Sequence, residues 1–158
     1  MFSGQKRSAA TVLGRLAGGD ISRIELQDPY CMVRDNRSYL ASFLQDVIDL
    51  SGKVARIEVR AWSPDSWKLR NQALQPESEG AAKFDFNQRL PNEKRKGARI
   101  TWDLIVRKPV GDFHDRFIRL FVTEEARVVT YQLDLSGGVD RFMDHSRETV
   151  ATLVRIDG

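Results

Sequence analysis

The 158 residues include 25 Lys and Arg against 22 Asp and Glu, a net charge of +3, with 41% hydrophobic and 30% charged residues. This composition is typical of one soluble domain with its own core, and it excludes a disordered, collagen-like or membrane-spanning chain. The single cysteine, Cys31, excludes an intrachain disulfide and a cysteine zinc cage. Because no apolar segment follows the basic N-terminal residues, a signal peptide is not expected, and we expect a cytoplasmic protein. We also expect no cofactor and no metal.

The hydrophobic pattern of the first half predicts two helices and two strands. The predicted elements are a short helical extension within residues 1–20 (helix 8–17), a strand over 21–30, an amphipathic helix capped by Asp35-Asn36 and closed by Ser51-Gly52, and a strand over 55–62. The helix after Asn36 is the clearest, because its apolar residues recur on one stripe.

The second half predicts one more helix and then several strands. The predicted elements are a helix over 79–90, a basic turn over 92–97, strands over 100–106, 113–122 and 127–135 with a hairpin at 124–126, a helical turn over 139–143, and a strand over 149–156. This order predicts an α/β fold, a single mixed sheet flanked by helices.

One polar constellation lies on the predicted strand 113–122. In an extended segment His114 and Arg116 point to one face and Asp115 to the other. Arg supplies a planar fork of donors, and His can donate a proton or attack phosphorus, so the pair could hold a phosphate. The alternative is structural: His114 and Asp115 cap the strand edge, and Arg116 pairs with a carboxylate.

Two further segments could bind anions. At Ser136-Gly137-Gly138 a strand gives way to a helical turn, so backbone N–H groups could face an anion, although a plain tight turn is equally compatible. The basic excess is confined to residues 83–111, with 8 basic and 3 acidic side chains. Within it Lys94, Arg95, Lys96 and Arg99 could attract a polyanion, or they could form a solvated hairpin.

Three stretches together resemble the phospholipase-D-like superfamily, and most closely the degenerate C-terminal domain of MIT-containing trafficking proteins. They are residues 24–30, which close on Asp28-Pro29-Tyr30, the His-Asp-Arg step at 114–116, and residues 133–142 with their Gly-hydrophobic-Asp step. The resemblance covers residues 21–156 and implies a phospholipase-D-like domain over 21–158. It implies a phosphate pocket of His114, Arg116, Ser136, Gly137 and Gly138, with a rim of Asp28, Tyr30, Arg34, Arg37, Asp115 and Asp140.

The sequence departs from the active members of that superfamily. They carry His-x-Lys with an Asp five positions after the Lys, whereas this chain has Arg116 and Phe121 there. We therefore expect a module that binds a phosphate-bearing polyanion without turnover. Nucleic acid is the expected ligand, in keeping with relatives in prokaryotic DNA-handling and antiviral defence systems.

Three alternatives remain open. The first is a metal-independent phosphodiesterase or nuclease that acts as a homodimer, with His114 as nucleophile. The second is an interaction subunit with a vestigial pocket and a larger protein partner. The third is binding of a membrane phosphoinositide, which the trafficking relatives imply.

Overall fold

The computed structural model describes residues 13, 20–51, 53–64, 77–106, 115–135, 139, 143 and 151–156, which form one mixed six-stranded sheet with two helices. The strands are β1 (Asp20–Gln27), β2 (Arg56–Trp62), β3 (Arg99–Ile105), β4 (Phe117–Glu124), β5 (Arg127–Leu135) and β6 (Ala151–Arg155). The helices are α1 (Arg37–Ser51) and α2 (Glu79–Arg89), and a short 3₁₀ helix covers Asn92–Lys94. The predicted α/β class with a single mixed sheet is confirmed.

The sheet order is β3-β2-β1-β4-β5-β6. Strands β1, β2 and β3 are parallel, and each later neighbour is antiparallel to the one before it. The helical crossovers β1-α1-β2 and β2-α2-β3 both move outward in the same direction. Because such crossovers are right-handed, both helices are expected on the same face of the sheet.

The core lies between that face and the helices. Helix α1 buries a stripe of Leu40, Ala41, Phe43, Leu44, Val47 and Ile48, and α2 adds Ala82 and Phe86. They pack with alternate residues of the central strands, such as Ile24, Val59 and Leu120. The period of about 3.6 in the helix and two in the strands therefore places one continuous apolar layer between them.

Local signals account for the ends of several elements. The Ser78 hydroxyl accepts a hydrogen bond from the Ala81 N–H (3.1 Å) and caps α2. The predicted hairpin between β4 and β5 is confirmed, and its two turn residues, Glu125 and Ala126, have φ of 48° and 64°. Positive φ at both central positions gives a turn whose twist matches that of the strands.

Strand β4 begins later than predicted. The period-two pattern predicts a strand from residue 113, but the strand begins at Phe117, so Asp115 and Arg116 precede it. The reason lies in its neighbour: Phe117 pairs with Gln27, the last residue of β1, and the chain then turns away at Asp28-Pro29. Beyond Phe117 there is therefore no β1 residue for β4 to pair with.

Some predicted elements lie largely outside the described residues. Of the predicted helix 8–17, only Leu13 is described, and it is buried in the core. Of the predicted turn 139–143, Val139 and Met143 are described; both have helical backbone and pack with the core.

The second face of the sheet receives no helix from the described residues. We call it the open face, and on β1 it is marked by Arg23, Glu25 and Gln27. Its side chains are mostly polar and half-buried, because they contact one another across strands. The charged residues of β1 and β2 therefore lie on a surface, opposite the core.

Arg37 is the one fully buried cation among the described residues. Its side chain is 1% exposed, and Nη2 lies 2.8 and 3.1 Å from the two carboxylate oxygens of Glu77, with Nε 3.1 Å from Asp85. These two ion pairs connect the start of α1 to Glu77, which precedes α2, and to Asp85, which lies within α2. A buried ion with this geometry is expensive to leave without its partner.

We predict that Arg37→Ala lowers the free energy of unfolding by about 3 kcal/mol, because it removes the buried cation that pairs with Glu77 and Asp85. Urea denaturation measures the loss. The matched control is Arg34→Ala, since the Arg34 side chain approaches the same Glu77 (3.9 Å) but is 70% exposed. That control should cost less than about 1 kcal/mol. Equal losses in the two variants would contradict a structural role specific to Arg37.

Candidate anion-binding site

The carboxyl edge of the parallel strands brings several predicted site residues together. The register Gln27–Phe117–Asp134 places the end of β1, the start of β4 and the end of β5 side by side. The Gln27 side chain donates to the Asp115 carbonyl (3.0 Å), and the Leu135 N–H donates to the Arg116 carbonyl (3.0 Å). The structure therefore places the backbone of Asp115 and Arg116 between β1 and β5.

Asp28 is a buried anchor at this edge. It is 0% exposed, and its carboxylate accepts hydrogen bonds from the N–H groups of Tyr30 (3.0 Å) and Val139 (2.8 Å). Its own N–H donates to the Arg60 carbonyl (3.1 Å). The carboxylate, predicted to lie on a pocket rim, thus joins the turn after β1 to the segment after β5.

Arg116 lies on an aromatic support. Its guanidinium carbon is 4.9 Å from the centre of the Tyr30 ring, and Tyr30 makes an edge-to-face contact with Trp62, with centroids 4.9 Å apart. The Asn36 side-chain amide donates to the Tyr30 carbonyl (3.0 Å). The backbone on both sides of Tyr30 is therefore held by hydrogen bonds, its N–H by Asp28 and its carbonyl by Asn36. The Tyr30 ring holds the Arg116 guanidinium by a cation–π contact.

The Arg116 guanidinium is half-buried, and no carboxylate of the described residues forms an ion pair with it. The structural alternative, an Arg116–carboxylate pair, is thus not seen in this part of the chain. No carboxylate of the described residues therefore occupies its planar fork of N–H donors.

A shallow cavity of about 650 Å³ opens beside Arg116. It is lined by Asp115, Arg116, Phe117, Arg119, Gln132, Asp134 and Leu135. Arg119 Nε donates to the side-chain oxygen Oε1 of Gln132 (3.0 Å), and Nε2 of the same side chain donates to the Asp134 carboxylate (2.7 Å). The cavity therefore holds two guanidinium groups, with the Asp134 carboxylate held at one side by this chain of hydrogen bonds.

The other predicted pocket residues, His114, Ser136, Gly137, Gly138 and Asp140, lie outside the described residues. Their described neighbours Asp115, Leu135 and Val139 all lie at the carboxyl edge. Among the proposed rim residues, Arg37 is in the core, and the carboxylate that both Arg34 and Arg37 approach is Glu77.

The basic turn lies at the opposite edge of the sheet. Arg99, which opens β3, pairs in register with Arg56, and Arg56 with Arg23 near the start of β1. Six residues at about 3.3 Å each separate that edge from the carboxyl edge, a distance of about 20 Å. The structure therefore separates the basic turn from Arg116 along the strands.

The four basic residues at 94–99 differ in their surroundings. Arg95 donates to the Leu90 carbonyl (2.8 Å) and to Asn87, and burial lowers the pKa of its guanidinium below the ordinary value. Lys96 pairs with Asp49 (3.0 Å), whereas Lys94 and Arg99 are exposed. Arg95 thus contributes to the turn itself, and Lys94 and Arg99 are its outward cations.

Sequence reasoning missed two contributors to the candidate site, Arg119 and Gln132, which line the cavity from β4 and β5. Trp62, at the end of β2, is buried and supports Tyr30. The available signal was the period-two alternation that places Arg119 and Gln132 on the polar side of their strands, but their register partners cannot be read from the sequence.

No protein-family model matches the chain, and no curated protein sequence matches it. Within the part of the chain that the structure describes, no helix combines the length and apolar character needed to span a bilayer. What the site can bind is therefore inferred from its geometry.

We predict that Asp28→Asn lowers the free energy of unfolding by about 2 kcal/mol. The amide keeps one acceptor but turns an NH₂ group towards a backbone N–H that the carboxylate had satisfied. Urea denaturation is the measurement, and the control is Asp115→Asn, an exposed neighbour that should change stability by less than about 0.5 kcal/mol. An unchanged unfolding midpoint for Asp28→Asn would show that this anchor contributes no stability.

Proposed function

We propose that this protein is a cytoplasmic, non-catalytic module that binds a phosphate-bearing polyanion, with nucleic acid as the ligand. The observation that carries the proposal is Arg116: a half-buried guanidinium, seated on Tyr30, with no ion-pair partner among the described residues. Phosphate, like carboxylate, matches the geometry of its fork of donors.

The support beneath Arg116 favours binding. A guanidinium held on a ring loses less side-chain freedom when an anion arrives, so more of the interaction energy appears as affinity. The resemblance to phospholipase-D-like domains adds His114 and the backbone of Ser136–Gly138 as further phosphate donors. Their described neighbours Asp115, Leu135 and Val139 lie at the same edge.

Two separated groups of cations favour a polyanion over a single phosphate group. Arg116 lies at one edge of the sheet, and Lys94 and Arg99 lie at the other, about 20 Å away along the strands. One lipid headgroup reaches only one of these edges, whereas a nucleic-acid strand carries charge along its length and can reach both.

The residue at the superfamily's acidic position favours binding without turnover. Phe121 stands there, its ring contacts Arg23 on the open face, and a phenyl ring can neither orient a base nor carry charge. Arg116 therefore binds the phosphate, and no residue transfers a proton.

The test is equilibrium binding of fluorescently labelled 20-nucleotide DNA and RNA, and of anionic vesicles, at two salt concentrations. We expect nucleic-acid affinity that falls steeply with salt. Arg116→Ala should weaken it by about 10-fold or more, the cost of a lost charge-assisted hydrogen bond, and Arg116→Lys should weaken it less. The matched control is Arg127→Ala, an exposed arginine at the hairpin that should bind as the unmodified protein does.

Three results would overturn the proposal. Vesicle binding with no nucleic-acid binding would make the ligand a lipid. Cleavage of the labelled strand in EDTA, abolished by His114→Ala, would make the protein a phosphodiesterase. Absence of all binding, in a protein that purifies only with a partner, would make it an interaction subunit.

A further inference from the structure

The open face carries a row of arginines in register across three strands. Arg99 of β3 pairs with Arg56 of β2, and Arg56 pairs with Arg23 of β1. Neighbouring strands lie about 4.8 Å apart, so the three side chains cover about 10 Å of the surface. Arg99 opens β3 and is the member of the row that lies nearest to the basic turn along the chain.

Two phenylalanines of β4 lie on the same face, each with an arginine above its ring. The Arg23 guanidinium carbon is 4.8 Å from the Phe121 centroid, and that of Arg119 is 4.3 Å from Phe117. The rings are four residues apart on one strand, a separation of about 13 Å. Together they provide two flat, cationic platforms on a surface without a helix from the described residues.

Glu25 and Glu58 hold these arginines in place without covering them. Glu25 lies 2.6 Å from Arg23 and 3.7 Å from Arg119, and Glu58 lies within 3.1 Å of Arg23 and Arg56. Arg23, Arg56 and Arg119 remain 36%, 59% and 37% exposed. Each guanidinium therefore keeps donors that face solvent, in positions fixed by its carboxylates.

The open face and the Arg116 site form one surface. A cavity of about 290 Å³ on the open face is lined by residues of β1 to β4, and Phe117 and Arg119 line both this cavity and the larger one beside Arg116. A path along the open face from the arginine row to Arg116 thus runs past Phe121 and Phe117.

We propose that the open face binds single-stranded nucleic acid, with bases stacked on the platforms at Phe117 and Phe121 and phosphates on the row Arg23, Arg56 and Arg99. This inference rests on the proposed function and names its ligand. Unpaired bases expose the π faces that aromatic rings and guanidinium groups stack on. In a duplex those faces are covered by neighbouring pairs, and the described residues place no helix on the open face to enter a groove.

The first experiment compares a labelled 12-nucleotide single strand with the duplex of the same sequence. The test variant is Phe117→Leu/Phe121→Leu, which keeps apolar volume but removes the rings. The matched control is Phe84→Leu, a phenylalanine 66% exposed on α2, on the other side of the sheet. We expect about 10-fold or greater loss of single-strand affinity in the test variant, from the loss of stacking, and none in the control.

The second experiment changes charge at exposed positions and leaves the rings intact. Arg56→Gln/Arg99→Gln should reduce the slope of log affinity against log salt by about 0.7 for each lost phosphate contact. Arg127→Gln is the control. Ultraviolet crosslinking of the single strand to the unmodified protein, with the modified peptide identified by mass spectrometry, should mark β4 at Phe117 or Phe121.

The outcomes separate this inference from the function on which it rests. If duplex and single strand bind equally, and only Arg116→Ala weakens them, the open face is not the binding surface and the polyanion function stands. If the unmodified protein binds neither, both proposals fail. If the Phe double variant does not fold, the slope of the arginine variant and the crosslinked peptide decide the question: an unchanged slope and a crosslink outside β4 overturn the inference.

Discussion

The handedness of two crossovers determines which face of the sheet the helices cover and which face they leave open. Strands β1, β2 and β3 are added in one direction, so both connecting helices lie on one face of the sheet, and the described residues place no helix on the other. One face is then free to be entirely apolar, as Ile24, Val59 and Leu120 show. The other face can hold charge at every second residue at no cost to the core.

Two buried ions show why residue type alone does not identify a site. Asp28 and Arg37 both follow β1, both have the chemistry of a pocket residue, and both are sealed inside the fold. Asp28 satisfies backbone N–H groups, and Arg37 satisfies two carboxylates. Arg116, in contrast, has no ion-pair partner among the described residues, and for this reason the proposed binding role is assigned to Arg116 and not to Asp28 or Arg37.

Much of the fold could be predicted from periodicity. The stripe Leu40, Phe43, Leu44 and Val47 predicts α1, and the alternation over 127–135 predicts β5 with its observed ends. The start of β4 could not be predicted in this way, because it depends on where β1 stops, which is a pairing across 90 residues of chain. Strand register is set by three-dimensional contacts and is therefore absent from any local pattern.

The residue types of the candidate site could be predicted from the sequence, but their arrangement could not. The sequence identified Arg116 and the basic stretch at 94–99 as anion-binding candidates, and it could not show that parallel β1, β2 and β3 put them at opposite ends of the same strands. The Arg23–Arg56–Arg99 row was equally invisible, since its members come from three separate segments. In the sequence each of these arginines looks like an ordinary surface residue, and only the strand register shows that the three lie side by side.

The hairpin between β4 and β5 has a consequence for how this protein can be studied. Glu125 and Ala126 both occupy the left-handed region, which costs a side-chain-bearing residue about 1–2 kcal/mol. Asn and Gly are the residues that such a turn prefers, and the hairpin lies at the end of β4 remote from Arg116. Replacing Glu125-Ala126 by Asn-Gly is therefore expected to raise the free energy of unfolding. In a protein stabilised in this way, variants that lose stability stay folded, and their ligand affinity can be measured separately from their folding.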